Sequence, residues 1–481
     1  MNNDPINRIL IVGAGFEGWL TAASIAAQLP RNRIEIAVCA APGADAWDRL
    51  YSVQPWHPDD SLHALGVSDQ ELVRLYDGLY ALGVKCHLPW LPKASVVWPY
   101  GPVGVDYAGL AFHHHWRCER ETVGDYFAFS PAARAMARNA FAPPMQRNAI
   151  GTLQHEIARH IDTAGVTTAL RRRALAAGVE RWSGKFAGLE RDNDGISAIV
   201  NDNGERRTAD VYIDASGPLR LLRHSDRWTK TAHTGAFSIK ATAVQRQEPV
   251  APWHHIAGHH NGWNINIPLQ AREISIQLTM AQDDEPGDTL IPGRIENAWQ
   301  GNVVTLGVAG CQLLPLLPLQ TLLLTQSVNR FITMLPGQHF HADEATEFNQ
   351  LTAQDADDAN AMLSLFEQTR IHATPLARVV ADSDIPQDSR TKLFAKRGWV
   401  AQSDSTLVTT TDWVKTYVML GLIPEHSDVM VEQMQTTKRR QLLTNLATHI
   451  DQVVNDFPPL QRYMLAAIEA SNSVPGKAHR Q

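Results

Sequence analysis

The chain has 481 residues, 44% of them hydrophobic and 19% charged, with a formal net charge of −7 at pH 7. This length exceeds a typical single domain and predicts a large cofactor-sized core with added lobes, while the mildly acidic balance gives no electrostatic reason to bind nucleic acid. No apolar run approaches the roughly 20 residues that span a bilayer, and the opening residues lack the order of a signal peptide, so a cytoplasmic protein without membrane contact is expected.

In chain order, residues 8–27 read as strand, glycine-rich turn and helix: Ile9-Leu-Ile-Val12, then Gly13-Ala-Gly-Phe-Glu-Gly18, then an alanine-rich stretch. After a break at residues 30–32, the run 33–38 reads as a second strand, which completes a βαβ unit. Residues 152–165 are expected to be helical. Residues 187–200 alternate as one strand before the turn Asn201-Asp-Asn-Gly204, and residues 209–217 form another strand ending in small residues. Alternation from 236 to 280 predicts an antiparallel sheet. From Thr321 onward the pattern is helical, with amphipathic stretches at 359–366 and 433–453, and the small, polar end of the chain reads as a disordered tail. The fold class is therefore α/β: a Rossmann-type, glutathione-reductase-like FAD-binding core over residues 1–340 that includes an antiparallel lobe at about 235–285. A helical C-terminal region over 341–470 follows, then a tail over 471–481.

The Gly-x-Gly-x-x-Gly pattern is common by itself, and its place between a strand and a helix gives it weight. Gly13 permits a tight turn, Gly15 lets the backbone approach a pyrophosphate, and Gly18 lets the helix pack on the strand, with the helix N-terminus facing the phosphates. Some two hundred residues later Asp214-Ala-Ser-Gly217 ends a strand in the manner of flavin enzymes, which favours FAD over a nicotinamide; alternatively Asp214 only caps a turn. The acid expected at the end of the second strand for the adenosine ribose is missing, because that strand ends Val38-Cys-Ala-Ala41 and Glu35 comes too early. Loss of one charge-assisted hydrogen bond costs about 1.5–3 kcal/mol, or one to two orders of magnitude in affinity.

These residues, with others in the same order, resemble the flavin-dependent tryptophan halogenases. The resemblance runs from about residue 8 to 430, through the Trp19 that follows the third glycine, Asp125-Tyr126, Ala128-Phe-Ser-Pro131, Gly262-Trp-Asn-Ile-Asn-Ile-Pro-Leu269, Pro292-Gly-Arg294, Trp299-x-Gly-Asn302 and Gln326-Ser327. It implies FAD held by Gly13, Ala14, Gly15, Gly18, Phe186, Asp214 and Val308, and reduced by a separate flavin reductase. It also implies a small indole-like substrate, with a homodimer among the possible assemblies. In the family a lysine at the end of a tunnel orients hypohalous acid, and a glutamate supports the positive charge that arises on the attacked ring.

This sequence departs from that pattern at each chemical position. Ala81 stands at the lysine, Lys85 four residues on is a weak substitute, and no Asp or Glu occurs between Gly307 and Arg330, where Gln320 is the nearest polar residue. The signature Trp-x-Trp-x-Ile-Pro is Trp263-Asn-Ile-Asn-Ile-Pro268. The flavin-contacting Gly-Val-Gly-Glu-Ala-Thr loop corresponds best to Tyr51-Ser-Val-Gln-Pro-Trp56, whose bulky Tyr51 and Trp56 crowd a ring that glycines admit. Weakened FAD binding is expected. Three functions remain open: a divergent flavin monooxygenase or oxidase, a halogenase on another substrate with Lys85 recruited, and a silent relative that binds an aromatic molecule or a protein.

The histidine runs His113-His-His115 and Trp253-His-His-Ile-Ala-Gly-His-His260 invite a metal. Gly258 breaks helical spacing and no acid or thiol completes the second run, so no metal is expected. Cys39, Cys86, Cys118 and Cys311 are scattered and read as reduced thiols. The leucine-rich run 313–324 reads as a buried turn and helix start.

Overall fold

The computed structural model describes residues 6–29, 34–42, 45–55, 61–144, 155–193, 195–246, 248–281, 289–337, 341–382, 384–385, 387–401, 405 and 407–473. The expected break at 30–32, Trp56, the start of the helix expected at 152 and residues 474–481 of the expected tail lie outside these.

Strand β1 (Arg8–Val12) buries all but its first residue, leads through the glycine turn into helix α1 (Phe16–Gln28), and pairs in parallel with β2 (Glu35–Ala40). Its other neighbour is the strand Val211–Asp214, also parallel, with Val12 level with Asp214. These lie at the centre of an eight-stranded sheet that continues through Val303–Thr305 to Trp299–Gln300 on one side, and through Glu180–Arg191, Ile196–Asn201 and Arg206–Arg207 on the other. Parallel strands buried on both faces read as unbroken apolar runs, which is why β1 was legible.

The expected antiparallel lobe is a seven-stranded sheet in the order Thr289–Leu290, Phe237–Gln245, Arg272–Met280, Gly262–Pro268, Trp253–His259, Gly83–His87, Ser95–Pro99. The second histidine run is one of its strands, paired in parallel with Gly83–His87. Two assignments are corrected. The expected helix at 152–165 begins only at Thr163, and its middle is the strand Ala158–His160, held between the short strands β3 (Val53–Pro55) and β4 (Leu79–Ala81). The single strand at 187–200 is an antiparallel pair, Glu180–Arg191 with Ile196–Asn201, and between them Asp192 accepts from the Gly195 N–H.

Beyond these sheets the chain is helical, from Leu319–Thr333 and the 30-residue Ala342–Ile371 to Thr436–Asn455 and Leu460–Ser473. The last helix carries through 471–473, which the tail assignment had left unfolded. One apolar core runs without a break from Ile9 and Phe16 through Ile276 and Leu324 to Phe366, Trp413 and Leu460, so the C-terminal helices complete the core of the sheets. Among the described residues no helix is long and apolar enough to cross a membrane.

Candidate functional site

The glycine turn is built by steric exclusion. Gly13 has φ +129°, and a methyl group on it would lie 1.9 Å from the Ala215 carbonyl; one on Gly18 would lie 1.8 Å from the Gly13 carbonyl. Only hydrogen fits at either position. Asp214, fully buried, accepts from the Ser216 N–H (3.1 Å), the Ser216 hydroxyl (2.5 Å) and the Leu222 N–H (2.9 Å). Burial raises its pKa, and these bonds oppose the rise. It closes its own turn.

The middle glycine of the three faces a side chain. A methyl group on Gly15 would stand 2.6 Å and 2.9 Å from the two carboxylate oxygens of Asp48, the last residue of the short helix α2 (Asp45–Asp48). Asp48 Oδ1 accepts the Phe16 N–H at 3.0 Å, taking one of the donors that the start of α1 leaves without a partner in its own helix. One turn later in the chain the Tyr51 ring stacks on Phe16, with centroids 5.1 Å apart and planes 21° from parallel, and its hydroxyl donates to Glu17. Glu17 lies inside the glycine segment, is 4% exposed, and accepts the Val308 N–H at 2.7 Å. Burial pushes its pKa up to about 8, with smaller upward contributions from the charges of Asp48 and Asp214. Gln54 donates to the Tyr51 carbonyl (2.7 Å) and Thr321 donates to the Val53 carbonyl (2.9 Å), fixing the segment to the helix Leu319–Thr333.

The backbone here suits a diphosphate, but the side chains do not fit FAD as they stand. Asp48 occupies the approach to Gly15, Tyr51 covers Phe16, and Glu17 consumes the Val308 amide. Of the other residues expected at the cofactor, Ala14 is half-buried beside the turn. Phe186 packs near the outer end of β2, one residue beyond Lys185, the partner of Ala40. Glu17 was readable as a charge inside the glycine segment; nothing in the sequence marks Asp48, because only the fold brings it 32 residues back to α1.

At the distal positions Ala81 is fully buried in β4, opposite Ala158. Gln320, 2% exposed, accepts the Leu313 N–H and donates to the Cys311 carbonyl, each at 3.1 Å, so both ends of its amide hold the preceding loop. Lys85 extends over Trp253 at 5.3 Å from the ring. The buried ionisable groups near β4 are Arg159, which stands opposite Tyr80 and pairs with Asp69 at 2.6 Å, and two imidazoles. His160 bonds the Pro268 carbonyl (2.9 Å), and His254 lies between the Tyr100 hydroxyl and the Leu316 carbonyl (3.4 Å each). Burial lowers their pKa values to about 3 and about 4, so both are neutral at pH 7.

A lysine beside a carboxylate does occur deep in the molecule. Lys415 is 1% exposed and contacts Asp412 at 2.9 Å, the Pro99 and Gly101 carbonyls at 3.1 Å each, and the face of Trp98 at 3.8 Å. An ammonium has three N–H donors, and these three acceptors use them all. It ties the C-terminal helices to the sheet and offers no hydrogen to a ligand. Nearby, a cavity of about 790 Å³ is lined by Phe112, Tyr126, Trp399 and Val414, among others. Among the described residues no three or more His, Cys, Asp or Glu side chains are grouped to hold a metal; His113 bonds the Gly398 carbonyl (2.7 Å) and His114 accepts the Asp428 N–H (3.1 Å).

The tryptophan halogenase family signature matches residues 8–276 and 274–436. Tryptophan 6-halogenase ThaL of Streptomyces albogriseolus is 22% identical over 75% of this chain and 76% of its own. Tryptophan 7-halogenase RebH of Lentzea aerocolonigenes is 23% identical over 65% of this chain and 66% of its own. Among solved structures, BrvH, a flavin-dependent halogenase from Brevundimonas sp. BAL3, superposes with a TM-score of 0.85 at 22% identity, covering 96% of this chain and 99% of that one. Xcc4156, a flavin-dependent halogenase from Xanthomonas campestris, gives 0.83 at 19% identity over 96% and 98%.

Proposed function

The chain belongs to the tryptophan halogenase family, and from that premise we propose that it is an oxidoreductase-like member that does not halogenate through a lysine and a glutamate. The family depends on FAD reduced by a separate flavin reductase and acts on aromatic substrates. This reading assigns the cofactor to Gly13, Ala14, Gly15, Gly18, Phe186, Asp214 and Val308, in a domain up to about residue 340 ahead of the helical region, and in an arrangement in which Asp48 has left the approach to Gly15 and Glu17 the Val308 N–H. The carrying observation is the distal pair: Ala81 is a buried methyl group in a strand, and the Gln320 amide is spent on two backbone groups. Halogenation by that route needs a cationic N–H to orient the oxidant and a carboxylate to stabilise the developing ring charge. A methyl group and a committed neutral amide supply neither.

Incubating the full chain with a flavin reductase, FAD, NADH, bromide and tryptophan, followed by mass spectrometry, tests this reading. No brominated indole is expected, and halide-dependent bromotryptophan would refute it.

The occupied glycine turn favours a second reading, a catalytically silent protein of this fold that binds an aromatic molecule. The aromatic cleft of about 790 Å³ is of ligand size. That reading predicts quenching of tryptophan fluorescence by indoles without reductase-dependent oxidation of any of them.

A further inference from the structure

The N-terminus of α1 already holds an anion. Asp48 Oδ1 accepts the Phe16 N–H at 3.0 Å, and both its carboxylate oxygens stand within 3 Å of where a Gly15 side chain would begin. This is the approach that glycine at the middle position of such a turn leaves open to a diphosphate, and an aspartate there meets the same partial positive charge of the helix end. A carboxylate and a diphosphate oxygen cannot share one N–H at hydrogen-bond distance.

We propose that Asp48 is an internal occupant of the diphosphate position, so that a dinucleotide enters only after segment 45–55 withdraws, and that this residue sets the cofactor affinity of the chain. The inference rests on the reading of the glycine turn as a cofactor cradle. Three further features hold the segment in place: the Tyr51 ring on Phe16, the Tyr51 hydroxyl on Glu17, and the Thr321 bond to the Val53 carbonyl. Charge acts in the same sense. Asp48, Glu17 and Asp214 are close enough for the first and last to raise the pKa of the second, and a diphosphate adds two negative charges to that group. Arg49, the cation next in the chain, is turned away and donates to the Ala241 carbonyl.

The test is calorimetric titration of the full chain, wild type beside Asp48→Ala and Asp48→Asn, with FAD, with ADP and with inorganic pyrophosphate. Asp48→Ala empties the position. Asp48→Asn keeps an acceptor for the Phe16 N–H and removes only the charge. FAD and ADP are expected to bind Asp48→Ala at least tenfold more tightly than wild type, with Asp48→Asn between them. Equal affinity of wild type and Asp48→Ala for FAD overturns the proposal and leaves the cofactor reading standing. A gain for ADP or pyrophosphate without any FAD binding supports the occupied position and removes the flavin reading. If neither variant binds any of the three more tightly than wild type, Asp48 is a helix cap alone and the proposal fails. Thermal melts keep the test sound: should Asp48→Ala not fold, the Asp48→Asn comparison decides, with a gain expected from loss of charge and none if the proposal is wrong.

Discussion

Glu17 carries a pH dependence that its surroundings fix. Its carboxyl has a pKa of about 8 in the folded chain against an ordinary 4.5, chiefly through burial. The folded state therefore keeps a proton that the unfolded chain releases above pH 4.5. The corresponding stability is complete below that pH, declines as pH rises, and is gone once pH passes about 8, with a slope of up to about 1.4 kcal/mol per unit. Urea unfolding at pH 5.5 and 7.5 should show wild type losing about 2 kcal/mol more than Glu17→Gln; equal losses would mean that the carboxyl is ionised in the fold. At the distal site, the double variant Ala81→Lys with Gln320→Glu is expected to gain no halogenating activity. Lysine would place an ammonium in a fully buried strand position, and glutamate would leave the Cys311 carbonyl without its donor. Product analysis by mass spectrometry checks this, and any bromotryptophan would confine the losses to those two side chains. Gln320→Ala alone should cost about 2–3 kcal/mol, measured by chemical denaturation, because two buried backbone groups lose their partner.

At the scale of elements, the βαβ entry is specified sterically. Gly18→Ala puts a methyl group 1.8 Å from the Gly13 carbonyl, so α1 must lift from the turn, and a stability loss of about 3 kcal/mol or more is expected in thermal or urea melts. The segment that follows β2 shows how far local patterns reach. Tyr51 was legible as a bulky residue where glycines are expected, and the structure gives that bulk an object in Phe16 and Glu17. Asp48 gave no signal, because its role needs 32 residues of chain to bring it back to α1. The misread stretch at 152–165 has the same cause. Residues 158–160 lack the alternation of a half-buried strand because β3 and β4 flank them and they are buried throughout, and tertiary pairing overrode local propensity.

At the scale of the whole molecule, buried ion pairs tie the C-terminal helices to the sheets, Glu367–Arg370 against Trp263 and His260 and Lys415–Asp412 against Pro99 and Gly101. Lys415→Ala removes the cation and leaves the Pro99 and Gly101 carbonyls and Asp412 facing one another, and a loss of about 3–5 kcal/mol is expected as a lowered melting temperature. The sequence by itself determined the fold class, the glycine turn, the antiparallel lobe and the helical end, because each follows from periodicity or from a turn that only glycine tolerates. It also places no ionisable side chain at Ala81 and Gln320, the positions at which the resemblance implies a lysine and a glutamate. Only the tertiary structure decided what fills those places: that Gln320 holds a loop, that Lys415 has no hydrogen to spare, and that the glycine turn faces Asp48. Those facts depend on contacts between segments tens to hundreds of residues apart, where direction and distance set the chemistry and neither is written in the order of the residues.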